Sequence, residues 1–127
     1  MRKAEIDPGE INYINPHGSG TMLNDRVETR VFKEIMGDAA YDAAISSVKP
    51  ITGHCMGASG SVEALACIMA IRDQVVPPTI NYSTPDPECD LDYVPNEARE
   101  ARVDAVMVNG FGFGGQNAVA VFKRFEE

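Results

Sequence analysis

Residues 49–60, KPITGHCMGASG, decide the reading of this chain. They follow a short apolar run, AAISSV (43–48), and lead directly into SVEALACIMAIRD (61–73), which is apolar on nearly every face. A short β-type run, a glycine-rich turn and then a helix of that kind make a strand–turn–helix unit. A helix apolar all round is expected to be buried. Glycine supplies the tight backbone of the turn, and Lys49, His54 and Cys55 stand within it.

Working outward, EINYINPHG (10–18) reads as another short strand, ending in a loop that carries His17. Asn24 and Asp25 then start a helix, with Val27, Val31 and Ile35 recurring every fourth residue and Phe32 and Met36 widening the stripe. Asp25 and Glu28 have the three-residue spacing of a capping box, and Gly37 suits the helix end. Downstream, PP (77–78) stops the apolar helix and STPDPECD (83–90) is turn-rich. VDAVMVNG (103–110) and NAVAVFKRF (117–125) read as two strands joined by a glycine-rich loop. Residues 1–10 read as a polar tail. The order strand, helix, strand, buried helix and β-rich end predicts an α/β layered domain with its chemistry in the loops after strands.

Composition narrows the function. A net charge of -8 argues against nucleic acid, whose phosphates demand clustered Lys and Arg. No apolar run approaches the ~20 residues that cross a bilayer, and the first ten residues lack a secretory apolar region. Cys55, Cys67 and Cys89 show no framework spacing, so free thiols and a cytoplasmic setting are expected.

The motifs carry plain readings beside sharper ones. GFGFGG (110–115) is not a dinucleotide fingerprint, because a strand follows it where that motif needs a helix N-terminus. His17 and His54 are the only histidines, and no Cys or His nearby completes a metal set. Cys55 has no nucleophile-elbow pattern around it. Lys49 reads either as a surface lysine or as a cation beside a histidine, with Asp25 and Glu28 one helical turn apart as candidate carboxylate partners. Those two acids equally read as helix caps.

Four segments in one order resemble the β-ketoacyl-acyl-carrier-protein synthases, condensing enzymes of the thiolase superfamily. They are NPHGSGTMLND (15–25), SSVKPITGHCMGASGSVEAL (46–65), PPTINYSTPDPECDLDYVPNEAR (77–99) and NGFGFGGQNAVAVFKRF (109–125). The resemblance implies that residues 1–127 are the incomplete C-terminal half of a ketosynthase domain, a mixed sheet with packed helices and one central buried helix. It implies an acyltransferase of fatty acid synthesis that condenses malonyl-carrier protein with an acyl group and needs no metal or cofactor. His17 and His54 would promote decarboxylation and stabilise the enolate, with Lys49 supporting them. Asp25, Glu28 and Glu63 would organise the site. Ser19 and Thr21 would touch the phosphopantetheine arm. Phe113 would gate the site and complete an oxyanion hole with its N–H. Ser19 and Gln116 depart mildly from the family pattern.

The nucleophilic cysteine of the family has no counterpart in this chain. The segment alone is therefore expected to be inactive. Its expected partners are the acyl carrier protein, the missing N-terminal portion of the synthase and, in the full enzyme, a second copy. A polyketide ketosynthase fragment and a non-catalytic partner subunit stand as alternatives.

Overall fold

The computed structural model describes residues 1–125. Strands β1 (Tyr13–Asn15), β2 (Ala44–Ile45), β5 (Ala105–Gly112) and β6 (Gln116–Lys123) form one mixed sheet in the order β2-β1-β5-β6. β1 runs parallel to both β2 and β5, and β6 pairs antiparallel to β5 along its whole length. Parallel neighbours require a crossover. That between β1 and β2 contains α1 (Asn24–Met36) and the short α2 (Ala39–Asp42). That from β2 to β5 contains α3 (Lys49–Thr52), α4 (Ser59–Asp73) and a small antiparallel pair, β3 (Val75–Val76) with β4 (Arg99–Glu100).

Side chains alternate along the strands and so build two cores. Ile14, Ile45 and Met107 meet Phe32, Met36 and Ala40 of α1 and α2 on one face. Tyr13, Val106 and Val108 meet Cys67 and Ala70 of α4 on the other.

Several expectations are corrected. Residues 1–10 are no loose polar tail: they form two 3-10 turns, Arg2–Ala4 and Pro8–Glu10, because Ile6, 5% exposed, is drawn into the first core. The AAISSV strand shrinks to Ala44–Ile45. Lys49 opens a helical turn, since Pro50 has the φ of a first helical turn and no N–H to leave unpaired there. On α1 the buried row is Glu28, Thr29, Phe32 and Met36, and Ile35 is exposed. The stripe is rotated from the expected one because Glu28 turns inward to the His17 loop. Asp25 and Glu28 make no capping box; the Asn24 N–H is met by Thr21 Oγ1 at 3.3 Å. Gly37 ends the helix at φ 59°, as expected. α4 buries Ser59, Glu63, Cys67 and Ala70 against the sheet, while Leu65, Ile68 and Met69 on its other side are exposed.

A loop leaves the body between β3 and β4. Its neck is pinched by Thr79 N–H to Val94 O at 2.9 Å and by Asn96 N–H to Thr79 O at 2.9 Å. Asn96 closes it further, accepting from Tyr82 N–H at 2.9 Å and donating to Tyr82 O at 2.7 Å. Asn81, Val94 and Asn96 all have positive φ.

Candidate active site

His17 follows β1 and His54 follows α3, and the fold brings their rings to 5.8 Å between centroids at an interplanar angle of 79°. Each ring has its Nδ1 engaged by a backbone donor. Phe111 N–H points to His17 Nδ1 at 3.3 Å, and Met56 N–H to His54 Nδ1 at 3.2 Å. An Nδ1 that accepts an N–H carries no proton in the neutral ring, so both imidazoles hold their proton on Nε2. Ser59 Oγ lies 3.0 Å from His54 Nδ1 and secures the same ring. Met56 holds its position at φ 51°, a left-handed conformation uncommon for a side chain of its kind. Burial, and then the charge of Lys49, push the pKa of His17 down, which favours the neutral ring.

The backbone of His17 is gripped at both ends. Lys49 Nζ donates to the His17 carbonyl and to the Glu63 carboxylate. Lys49 is 7% exposed and Glu63 2% exposed, so this ion pair is buried. On the other side, the Glu28 carboxylate accepts the N–H groups of His17 and Gly18, each at 2.8 Å, and the Asn24 amide at 2.8 Å. Gly18 must be glycine: at φ +47° a Cβ there would sit 2.6 Å from Ser47 Cβ. Ser47 Oγ in turn donates to Gly18 O at 2.9 Å.

The carboxylate expected at Lys49 is therefore Glu63, not Asp25 or Glu28. Asp25 Oδ1 accepts from Gly20 N–H at 3.3 Å and from the Asn24 amide at 3.1 Å, so both acids of α1 hold the 17–20 loop by its backbone. Thr21 is exposed and Ser19 half-buried, their hydroxyls 3.4 Å apart. Together with Lys49, His54, Tyr82 and Tyr93 they line a cavity of about 520 Å³. Phe113 stands at the tip of the β5–β6 hairpin, 95% exposed. The phenylalanine that meets His17 is Phe111, its ring centroid 5.4 Å away. Phe111 and Ser59 carry no sequence signal of this role beyond their places in the two glycine-rich motifs. The thiols lie elsewhere: Cys55 is exposed and faces the carbonyls of Thr52 and Gly53, Cys67 is buried, and Cys89 lies half-buried in the cavity wall.

The family described as Beta-ketoacyl synthase, C-terminal domain, matches residues 1–83. The chain belongs to the β-ketoacyl synthase family. It is 57% identical over 118 residues to the tetracenomycin polyketide synthase ketoacyl synthase alpha subunit of Streptomyces glaucescens, covering 93% of this chain and 28% of that one. It is 51% identical over 124 residues to 3-oxoacyl-acyl-carrier-protein synthase 2 of Coxiella burnetii, covering 98% and 30%. Among solved structures, a type II polyketide acyl-carrier protein in complex with its ketosynthase superposes with a TM-score of 0.95 at 39% identity, over 98% of this chain and 31% of that one. A β-ketoacyl synthase from Burkholderia phymatum gives a TM-score of 0.90 at 36% identity, over 98% and 30%. The fold is thus the thiolase type of the ketosynthases. The chain spans less than a third of the length of these relatives and corresponds to their C-terminal part.

Proposed function

We propose that residues 1–127 supply the incomplete C-terminal half of a ketosynthase domain, within a β-ketoacyl-acyl-carrier-protein synthase that condenses malonyl-carrier protein with an acyl group. One observation carries the reading: two imidazoles meet edge-on, each with its Nδ1 accepting a backbone N–H, which leaves the Nε2 side of each ring to donate. Such a pair suits the carbonyl oxygen of a malonyl thioester. As the C–C bond to the carboxylate breaks and CO2 leaves, the electron pair passes into the thioester as an enolate. Preorganised N–H donors stabilise that charge. The enolate carbon then attacks the acyl thioester on a cysteine, and the thiolate departs. That cysteine comes from outside this segment: the Cys55 thiol, although next to His54 in sequence, turns to the carbonyls of Thr52 and Gly53, and Cys67 is buried beneath α4.

In this reading Lys49, Glu63 and Glu28 position His17 and do not touch substrate, and Asp25 supports the same loop. Ser19 and Thr21 meet the phosphopantetheine arm in the cavity. The N–H of Phe113 completes the oxyanion hole for the acyl group, with its ring as a gate. The acyl carrier protein is the partner, and the complete synthase is a cytoplasmic homodimer. The complex of a similar ketosynthase with its carrier protein supports that partner. Among the described residues no helix is long and apolar enough to cross a membrane. The sequence pointed to the fatty-acid branch. Relatives named for polyketide and for 3-oxoacyl synthesis match at 57% and 51%, so the proposal is the condensation common to both.

A segment exchange tests it. Placing this chain in the matching stretch of the Streptomyces glaucescens relative should retain malonyl decarboxylation. His54→Ala or His17→Ala in that chimera should lower it at least ~100-fold. Decarboxylation that survives His54→Ala overturns the reading. The purified chain alone should yield no β-ketoacyl product, and product from it would refute the missing-cysteine argument.

A further inference from the structure

The loop between β3 and β4 has a fixed neck and a loosely held tip. The neck is closed by the backbone and Asn96 hydrogen bonds already described. The segment returning from the tip is also anchored: Leu91 is 8% exposed in the first core, and the Tyr93 hydroxyl bonds Thr29 of α1. Residues 83–90 between these anchors bury no side chain. They keep their own shape, because Asp86 accepts Glu88 N–H on Oδ1 and Cys89 N–H on its carbonyl, both at 2.9 Å. Pro85 and Pro87 stiffen the same stretch.

What joins this tip to the body is charge. Arg26 of α1 pairs with Asp86 at 2.9 Å and also with Glu88, and Lys33, two turns along the helix, pairs with Asp90. Lys33 also lies 5.6 Å from the centre of the Tyr41 ring. All three pairs are at least partly solvated. Such pairs hold weakly and are screened by salt. The tip supplies Thr84, Asp86 and Cys89 to the wall of the cavity that Lys49 and His54 also line.

We propose that residues 83–90 are a preformed flap over this cavity, latched to α1 by Arg26 and Lys33 and free to swing on its fixed neck. Segments with little buried surface and solvent-exposed tethers open first in a native protein. Opening removes one wall of the cavity and widens its mouth. That this admits a thioester arm rests on the function proposed above; the flap itself rests only on packing and charge.

Amide hydrogen exchange on the 127-residue chain tests the latch. Arg26→Gln with Lys33→Gln should speed exchange within 83–90 at least ~3-fold while leaving the neck amides of Thr79, Tyr82 and Asn96 unchanged. Raising salt from about 0.02 M to about 1 M should do the same to the wild type and nothing further to the double variant. A neutral maleimide gives a second readout: labelling of Cys89 relative to Cys55 should rise with salt in the wild type. Unchanged exchange in 83–90 overturns the latch. Neck and tip speeding together overturn the hinged flap, because the loop would then be unfolding as a whole.

Discussion

Glu28 accepts the backbone N–H of His17 at 2.8 Å from a carboxylate that is only 4% exposed. A charge held that deep and spent on two peptide donors is a fastening for the loop and not a surface feature. Glu28→Ala leaves the N–H groups of His17 and Gly18 without their acceptor. The expected loss in unfolding free energy is about 1–3 kcal/mol. Urea denaturation measures it; a loss within experimental error would mean that the loop keeps its shape without the acid.

The Lys49–Glu63 pair is the second fastening. Breaking it by Lys49→Met alone strands a buried carboxylate and is expected to cost about 3–5 kcal/mol. The double change Lys49→Met with Glu63→Leu removes both charges and should recover much of that loss. Thermal melts of the four proteins form a cycle whose coupling energy should be clearly nonzero. Simple additivity would contradict the pairing.

His17 gives a pH signature. Burial first, and Lys49 second, hold its pKa below the ordinary 6.5. The unfolded chain therefore takes up a proton before the folded one as pH falls. The associated stability is fully present above about 6.5 and is lost as pH drops from there through the folded pKa. NMR titration of the ring protons should place the His17 midpoint below 6.5, and Lys49→Met should move it upward. A midpoint at or above 6.5 would remove the basis for a neutral imidazole.

Cys67 reports on the core beneath α4. Burial, and then the negative charge of Glu63, push its thiol up to about 12. At pH 9, set by the ordinary thiol pKa of about 8.5, iodoacetamide should alkylate Cys55 and leave Cys67 unmodified until denaturant is added. Rapid labelling of Cys67 in the native chain would mean that α4 is not seated on the sheet.

The placement of the histidines was legible in the sequence because glycine and proline mark loops wherever they stand. Pro16 and Gly18 announced one turn, and Pro50, Gly53 and Gly57 the other. The β5–β6 hairpin was legible for a similar reason, as two β-rich runs flank one glycine cluster. Partnerships were harder. Asp25 and Glu28 have a spacing that suits a helix cap, and nothing local reveals that Glu28 reaches back eleven residues to His17. Lys49 looked like the end of a strand because Ile45 and Val48 carry a β-type pattern, yet the strand pairs over only two residues. Phe113 and Phe111 are two apart in a repeated Phe-Gly motif, and only the fold shows that the earlier one meets His17. The apolar surround of α4 shows that both faces seek cover, not which face finds it within this chain.

Val94 bears on the order in which the molecule assembles. A β-branched residue at φ 45° is locally unfavourable, yet Val94 is 2% exposed in the second core. Its conformation is imposed by neighbours, so it becomes available only after β1, β5 and α4 have closed around it. The pinch that defines the β3–β4 loop is thus tied to the packing of that core: loosening β1, β5 or α4 around Val94 removes what holds its backbone in place.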